Sequence, residues 1–492
     1  MEFPIFQFPY LGTGMIIALN AVLHVIISHG LAIGAVFFIV TSEYIGSRKN
    51  PRGWDYFARD FLKFTIIITT GIGAVTGVGI WFIPSALSPR GIGSMLRVFF
   101  WPWFIEWMVF TCEVIFILLY YFTWHRWQSA QKKRHILLGA AYLSFAFLSA
   151  SLITGILGFM LTSDGWPWDR AFWSAFLNPS YLPQLFLRIS GGLSIGALSS
   201  SAFILFTRKD STFRKEALGF FAKAAIIAFS ATILSAWWYF TVIPSAFKTH
   251  AIFAVLTSRL SQTPQIFWYA NGAGISLLFI TAVVSIKGSG TFAKMLIIPA
   301  LLVAMTFVAE FERIREFIRG PYLMPGYMYA NQVLISETQL FKKDGMLKND
   351  PWFHQTADNQ DAAIQGAYLF ARNCSACHTI GGINDIAERV KGRTEDGIFV
   401  MLGHTSDMVP FMPPFSGTDA ERRILAGFLY ELSKGTVKLH GPSRPVPSIG
   451  EGEKGKTGAA KSAGLAGEPR TGGQPCPAMR VCRGHRGGER HG

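Results

Sequence analysis

Eight long apolar stretches constrain the fold of this chain more than any other feature of its sequence. The first, Leu11–Val40, contains no Asp, Glu, Lys or Arg and is long enough to cross a bilayer as one helix. Seven comparable stretches follow it, at Phe64–Ile83, Val98–Phe122, Ile136–Leu161, Tyr181–Thr207, Ala224–Val242, Ile266–Ile286 and Lys294–Ala309. Stretches of this length predict an all-α fold, a polytopic bundle of about eight transmembrane helices.

The overall composition agrees with a protein that crosses the membrane several times. Half of the 492 residues are hydrophobic and the mean hydropathy is +0.33, which is far from the composition of a soluble enzyme. A formal net charge of +15 is compatible with nucleic acid or anionic lipid as a partner. Basic cytoplasmic loops explain this charge better in a membrane protein, so we expect no nucleic-acid partner.

Basic residues alternate between the predicted loops. The first, third and fifth loops are rich in Arg and Lys, whereas the second, fourth and sixth are richer in Trp, Pro and Ser. Since basic loops stay in the cytoplasm, this alternation predicts a bacterial inner-membrane protein whose N-terminus lies in the periplasm. An even number of helices brings the C-terminal part back to the same side.

A short cysteine motif, Cys374-Ser-Ala-Cys377-His378, lies in the C-terminal part. Two thiols at this spacing followed by a histidine are typical of covalent haem c attachment, with His378 as the proximal iron ligand. A redox dithiol or half of a zinc site is the alternative, but the other three cysteines are remote in the sequence. Haem c is attached outside the bacterial cytoplasm, so the motif and the loop charges both predict a periplasmic C-terminal part.

Two short helices are predicted around the motif, Ala363–Arg372 before it and Ala420–Leu432 near the end of the unit. The sixth iron ligand should come from the loop between them, where Met408 and Met412 are the candidates. Two prolines follow Met412 and would hold it rigidly, so we assign the ligand to Met412. Met408 fits better as a residue that packs the pocket. The unit resembles the small class I cytochrome c fold, in which a Met-Pro segment supplies this ligand.

These features divide the chain into four parts. We predict a transmembrane haem-binding domain over residues 1–319, a linker over 320–356, a cytochrome c domain over 357–436 and a disordered tail over 437–492. The tail contains almost no large apolar side chains and therefore cannot bury a core.

Two glutamates in the third helix are candidates for function, because ionisable groups inside a membrane are costly. Glu106 and Glu113 lie two turns apart on one face of the helix, about 10 Å apart along its axis. Such a pair can relay protons or neutralise charge on a buried cofactor, and we treat both as candidate catalytic residues. Two carboxyl groups kept protonated by burial near the membrane boundary are the alternative.

Other buried ionisable residues are candidates for a membrane cofactor site. His24 and His29 lie about 140° apart on the first helix, so they cannot both ligate one iron. Either could be an axial haem ligand, and a structural core histidine is the alternative. Arg188 in the fifth helix could neutralise haem propionates or pair with a third-helix carboxylate. Glu310 closes the predicted eighth helix.

Several segments resemble subunit I of the cytochrome bd-type oxidase superfamily over about residues 10–315. They are Ala18–His24, Gly71–Gly77, the stretch from Phe104 to Arg126 and Phe307–Glu310. The resemblance implies that His24 and Glu310 ligate high-spin haems of type b, type d or both. It also implies that Glu106 and Glu113 serve proton delivery and the haem site, and it places Arg313 on an arginine that follows the ligating glutamate.

Three departures from the family concern the input of electrons from quinol. Arg188 and approximately Asn271 stand where the family has the histidine and methionine that hold its low-spin haem. The quinol-binding loop is reduced to about Pro244–Thr263, and the usual Gly-Arg-Gln-Pro-Trp reads Glu312-Arg-Ile-Arg315. A tethered cytochrome c takes their place, which is similar to the non-quinol, c-haem-bearing branch of the superfamily.

We therefore predict a subunit of a membrane terminal oxidase. Electrons pass from a periplasmic donor through haem c to a membrane haem site that reduces O2, and a second membrane subunit similar to the family's subunit II is the expected partner. Two other functions remain open. One is an electron conduit between quinol and cytochrome c without oxygen chemistry, and the other is a haem-based sensor or assembly subunit.

Overall fold

Helices dominate the part of the chain that this computed structural model describes, residues 6, 8, 10–48, 51–127, 131–163, 165–248, 263, 265–288, 290–350, 353 and 361–437. Eight helices in this part are long and apolar enough to cross a membrane, which confirms the predicted all-α bundle. They are α1 (Thr13–Arg48), α2 (Gly53–Leu87), α3 (Pro89–Phe122), α4 (Lys132–Phe159), α5 (Tyr181–Thr207), α6 (Ser211–Val242), α7 (Gln265–Lys287) and α8 (Thr291–Ile318). The tail predicted to be disordered lies, apart from Val437, outside the described residues.

Two of these helices contain π-helical segments, in which the turn is wider than in an α-helix. The segments are Ile26–Ala35 in α1 and Thr69–Gly73 in α2. Segments of this kind are rare and frequently occur at functional sites. His29 lies inside the first segment and His24 lies just before it. The angle of 140° expected between the two histidines assumes a regular α-helix and therefore does not apply.

The π-helical segment of α1 packs backbone to backbone on α5. A Cβ atom on Gly34 would lie 2.0 Å from the carbonyl oxygen of Gly192, and a Cβ atom on Gly192 would lie 2.4 Å from the carbonyl oxygen of His29. A Cβ atom on Gly196 would meet the carbonyl carbon of Gly34 at 2.3 Å. Only glycine fits at these distances, and small residues of this kind let membrane helices approach closely.

α3 bends before it reaches the two candidate glutamates. The backbone of Phe99 has φ −118° and ψ 30°, which is not helical, and Pro102 follows three residues later. Proline cannot donate its backbone hydrogen bond and its ring crowds the preceding turn, which explains a bend at this point. The half of α3 that carries Glu106 and Glu113 therefore runs in a different direction from the half that precedes Phe99.

α8 is longer than predicted. The apolar stretch ends at Ala309, but the helix continues to Ile318, so Glu310 lies inside it and does not close it. The prediction that Glu310 closes the eighth helix is wrong, because charged residues beyond it are paired and the helix continues. Glu312 accepts hydrogen bonds from Arg188 and Arg315, which lets a charged segment stay helical and buried.

A smaller unit follows the bundle and begins with a two-stranded antiparallel hairpin, β1 (Tyr322–Met324) and β2 (Met328–Tyr329). Seven helices come next among the described residues, namely α9 (Ile335–Asp344), α10 (Met346–Asn349), α11 (Ala362–Asn373), α12 (Ile386–Val390), α13 (Glu395–Gly403), α14 (Thr405–Met408) and α15 (Asp419–Lys434). Leu369, Leu425 and Leu429 are fully buried between them. The two predicted helices around the cysteine motif correspond to α11 and α15.

The stretch interpreted as a linker contains regular structure. Phe341 on α9 and Met346 on α10 are buried in the same hydrophobic core as α11 and α15. The carboxylate of Glu421 on α15 accepts hydrogen bonds from the backbone N–H groups of Met346, at 2.9 Å, and Leu347, at 2.7 Å. This part of the stretch therefore packs with the C-terminal unit, while the four domain boundaries stay a prediction.

The contact between α1 and α5 can be tested with two neighbouring glycines. We expect Gly192→Ala to destabilise the bundle by about 1–3 kcal/mol, because its Cβ atom would overlap the carbonyl oxygen of His29. Gly191→Ala is the matched control, since nothing lies within 4 Å of a Cβ atom there. Thermal unfolding of the purified protein in detergent measures the difference, and equal Tm values for the two variants would contradict this packing.

Candidate functional site

The cysteine motif forms a tight loop directly after α11. The backbone N–H of Cys374 donates to the carbonyl of Phe370 at 2.8 Å, and the N–H groups of Cys377 and His378 donate to the carbonyl of Cys374 at 3.1 Å and 2.9 Å. Cys377 is exposed and Cys374 is half-buried. Burial, together with the neighbouring Cys377, raises the pKa of the Cys374 thiol to about 12.

His378 is oriented by the segment that follows it. Its Nδ1 lies 3.4 Å from the carbonyl oxygen of Asn384, and the amide of Asn384 donates to the carbonyl of Cys377 at 2.8 Å. Burial lowers the pKa of the imidazole, which favours the neutral ring. A ring that donates through Nδ1 keeps a lone pair on Nε2 for a metal. Two thiols and this histidine fit a covalently bound haem.

The two methionines of the following loop differ in their surroundings. Met408 ends α14 and is 51% exposed, and its role as a residue that packs the pocket stays a prediction. Met412 is half-buried, and its N–H donates to the carbonyl of Val409 at 2.8 Å. The hydroxyl of Thr405 fixes the next residue by donating to the carbonyl of Pro413 at 2.8 Å. Ligation by Met412 stays a prediction.

The haem-attachment loop touches the first membrane helix. The hydroxyl of Thr13, the first residue of α1, donates to the carbonyl of Ser375 at 3.1 Å. The N–H of Ile383, just beyond the motif, donates to the carbonyl of Tyr10 at 2.6 Å. His24 lies eleven residues into α1 from this contact, about 16 Å along the helix.

His24 is held by α2 on a face of α1 that glycine keeps open. Its Nδ1 lies 3.2 Å from the hydroxyl of Thr76, which itself donates to the carbonyl of Ile72 at 2.8 Å and so accepts from the ring. A Cβ atom on Gly77 would come within 3.2 Å of the His24 ring, which accounts for a glycine there. A ring that donates through Nδ1 carries its lone pair on Nε2.

A largely apolar cavity of about 300 Å³ lies among α1, α5, α6, α7 and α8. Its polar lining residues are His29, Arg188, Asn271, Glu310 and Glu312, together with two hydroxyl-bearing residues. The side chains of Asn271 and Glu310 are hydrogen-bonded to each other. The structure thus brings Glu310 together with His29, whereas His24 is not among the residues that line the cavity.

Arg188 belongs to an ionic network at the wall of this cavity. It donates a very short hydrogen bond to Glu312, and Nε of Arg315 donates to the other carboxylate oxygen at 3.0 Å. The prediction that Arg188 pairs with a carboxylate of α3 is therefore wrong, because Glu312 on α8 is its partner. Glu312 was missed because the membrane helix was expected to end at Ala309. Its spacing of three residues from Arg315 was the signal for a pair on a helix.

Glu106 and Glu113 both face α4. Oε1 of Glu106 accepts from the hydroxyl of Ser149 at 3.0 Å, and Oε1 of Glu113 lies 3.2 Å from the hydroxyl of Tyr142. The Tyr142 hydroxyl also lies 3.0 Å from the carbonyl oxygen of Ala32, in the π-helical segment of α1. The two carboxyl groups therefore share one face, as predicted, and polar neighbours connect the second of them with α1.

A second buried polar cluster was missed by the sequence reading. Glu43 on α1 accepts from the hydroxyl of Tyr120 at 2.5 Å, binds His135 Nδ1 at 2.6 Å and forms an ion pair with Lys132 at 2.9 Å. Lys132 also reaches Asp55 at 3.2 Å. Lys132 is the first residue of α4 and only 9% exposed.

Arg313 lies on α8, one residue beyond Glu312. It is half-buried and is not one of the residues that line the cavity. A role for it near the haem site stays a prediction.

Comparisons with known proteins agree with this arrangement. Residues 14–243 match the family model of cytochrome bd terminal oxidase subunit I, and residues 361–429 match that of cytochrome c oxidase, cbb3-type, subunit III. No curated protein matches the chain. The structure of bd oxidase from Geobacillus thermodenitrificans is similar, with a TM-score of 0.56 and 20% identity over 64% of this chain and 88% of that chain. At this identity the likeness shows the fold.

The chain is an integral membrane protein, and the bd oxidase family whose model matches its N-terminal region is a family of oxidoreductases. The chain joins a cytochrome bd oxidase subunit I domain in its N-terminal region to a cytochrome c domain of the cbb3-type subunit III family at its C-terminal end. The resemblance predicted from the sequence is confirmed. Members of the bd family bind haems, and the C-terminal domain implies haem c.

The attachment role of the two thiols can be tested with serine substitutions. We expect Cys374→Ser or Cys377→Ser to leave one thioether, so that the pyridine haemochrome band moves to longer wavelength because one vinyl group stays unsaturated. The double variant should carry no covalent haem on a denaturing gel. Cys112→Ser, in α3, is the control and should keep both signals. Covalent haem in the double variant would contradict the assignment.

Proposed function

We propose that this chain is a subunit of a terminal oxidase that takes electrons from a periplasmic cytochrome c and reduces O2 to water at a membrane haem site. The observation that carries the proposal is the contact between the haem-attachment loop and α1 at Thr13 and Tyr10. Haem iron, when bound, supplies one-electron transfer and the binding of oxygen. The residues described above would hold, orient and shield it.

The electron-input side consists of residues that fix a haem rigidly. Cys374 and Cys377 would attach it, and His378 would ligate its iron through Nε2 while Nδ1 stays directed at the Asn384 carbonyl. Met412 is the proposed ligand on the other face. The hydrogen bond from Thr13 to the motif holds this unit against the end of α1, which keeps the separation between the two haem regions constant.

The membrane site is proposed to use a first-helix histidine and Glu310 as iron ligands for haem b, haem d or both. The resemblance to the bd family points to His24, whose Nδ1 is held by Thr76. Arg188 is held by Glu312 at the cavity wall, and Arg313 lies one residue beyond that partner. Largely apolar walls surround this region, which suits oxygen chemistry that must control the access of protons.

A cytochrome c is the favoured electron donor because the connection from α6 to α7 is short. α6 ends at Val242 and α7 begins at Gln265, which leaves little chain for a quinol-binding domain. A second membrane subunit similar to the family's subunit II is the proposed partner. The charge alternation of the loops supports a periplasmic position for the N-terminus and for the cytochrome c domain.

Oxygen consumption by the purified complex tests the proposed function. With its full haem content and reduced cytochrome c as donor, the complex should consume O2, and a carbon monoxide difference spectrum should show an accessible high-spin haem. No oxygen uptake at full haem content would contradict the oxidase. Haems that are all six-coordinate would favour the alternative, an electron conduit between quinol and cytochrome c.

The proton role of the α3 glutamates can be tested separately. We expect Glu113→Gln to lower oxygen turnover at least about tenfold with unchanged haem spectra, because the amide cannot accept and release the proton that the carboxyl relays. Glu106→Gln should act in the same direction. Ser144→Ala on α4 is the control. Within the described part of the chain, the hydroxyl of Ser144 donates to the carbonyl of Ala140 in its own helix. Full turnover in both glutamine variants would exclude a relay through this pair.

A further inference from the structure

Asn384 connects the cysteine motif with the helix that follows it. Its backbone has φ +60°, in the left-handed region, which asparagine adopts more readily than most residues. The backbone carbonyl of Asn384 lies 3.4 Å from Nδ1 of His378 and accepts from the N–H of Thr379 at 3.3 Å. Its side-chain amide donates to the carbonyl of Cys377 at 2.8 Å. Asn384 therefore bonds the motif through its backbone and through its side chain.

The other end of the Asn384 amide is held by Arg389 on α12. Nε of Arg389 donates to the amide oxygen at 3.2 Å, and a terminal guanidinium nitrogen donates to the same oxygen at 3.1 Å. Two donors on one rigid, planar group fix an acceptor in direction as well as in distance, which a single ammonium on a flexible stem does not. The side chain of Asn384 is thus anchored at the motif on one side and at α12 on the other.

The loop that carries Asn384 is also held from the membrane side. The hydroxyl of Thr379 donates to the carbonyl of Ile383 at 2.7 Å, and the N–H of Ile383 donates to the carbonyl of Tyr10 at 2.6 Å. A Cβ atom on Gly382 would lie 2.1 Å from the Tyr10 carbonyl oxygen, so this part of the loop lies directly against the backbone. These contacts leave the Asn384 carbonyl little freedom to move away from His378.

A fixed acceptor at Nδ1 changes what the imidazole of His378 does at Nε2. Stronger donation from the Nδ1 proton makes the ring a better electron donor through its other nitrogen. A better electron donor stabilises oxidised iron and therefore lowers the reduction potential of a haem, and hydrogen bonds of this kind are among the means by which proteins set that potential. The positive charge of Arg389 acts in the opposite direction. Because Arg389 is exposed, water and salt weaken the effect of its charge.

We propose that Asn384 and Arg389 are positioning residues that hold the hydrogen bond of His378 and thereby lower the reduction potential of haem c. This inference rests on the proposed function only in taking haem c as attached at Cys374 and Cys377. It requires neither oxygen reduction nor a particular membrane haem. The alternative is a purely electrostatic role for Arg389, which predicts a shift of the opposite sign when the arginine is removed.

Potentiometric titration of haem c in the purified full-length protein measures the effect. We expect Asn384→Gly to raise the midpoint potential, because glycine accepts the left-handed backbone and lacks both side-chain contacts. Arg389→Lys keeps the charge and loses the rigid pair of donors, so it should raise the potential as well. A denaturing gel stained for haem verifies that each variant carries covalent haem c.

Arg389→Gln separates position from charge when it is compared with Arg393→Gln. Arg393 is the matched control, since it is exposed and its side chain has no hydrogen bond or ion pair among the described residues. Both variants lose one positive charge, and only Arg389→Gln also releases Asn384. We therefore expect a higher midpoint potential in Arg389→Gln than in Arg393→Gln.

Two results would overturn the inference. One is an unchanged or lower potential in Asn384→Gly and Arg389→Lys with covalent haem retained, and the other is a potential in Arg389→Gln that is equal to or below that of Arg393→Gln. If Asn384→Gly does not fold, the Arg389 variants decide the question alone, because they change an exposed side chain. The titration uses redox mediators and no turnover, so its failure would leave oxygen consumption as an independent test of the proposed function.

Discussion

The close backbone contact between α1 and α5 determines the geometry of the membrane site. Gly34, Gly192 and Gly196 bring the two helices so near that no side chain fits between them. This approach sets His29 of α1 and Arg188 of α5 along one cavity. In a bilayer there is no hydrophobic force between helices, so close packing of small residues supplies the association energy. The site therefore depends on residues that have no functional groups of their own.

Two networks in the described part of the membrane bundle pair buried charges with one another. One joins Arg188, Glu312 and Arg315, and the other joins Glu43 with Lys132 and its neighbours. Removing a partner from such a network typically costs about 3–5 kcal/mol, because a charge is left unpaired in a medium that solvates it poorly. Charged residues can thus lie deep in the bundle without ending a helix, as α8 shows by continuing past Ala309.

The sequence predicted much of the fold and only part of the site. The length of the uncharged stretches was enough to predict eight membrane helices, and the cysteine motif was enough to predict the cytochrome c unit. Both signals are local in the sequence. Glu312 and Glu43 were missed because their roles depend on partners 124 and 92 residues away, Arg188 and His135. The π-helical turns were missed for a related reason. α-Helical periodicity in the sequence gives no sign of them.

Residues of α1 contact each of the proposed functional regions of the described chain. Its first residue, Thr13, bonds the haem-attachment loop, and His24 and His29 follow at successive depths. Ala32 meets Tyr142, the neighbour of Glu113, and Glu43 lies near the far end with its polar cluster. One helix thus passes from the proposed electron input, past His24 and His29, to groups that are proposed to carry protons. A displacement along α1 would alter the distance between the two proposed haem regions, so the glycine contacts that hold this helix also support the proposed path for electrons.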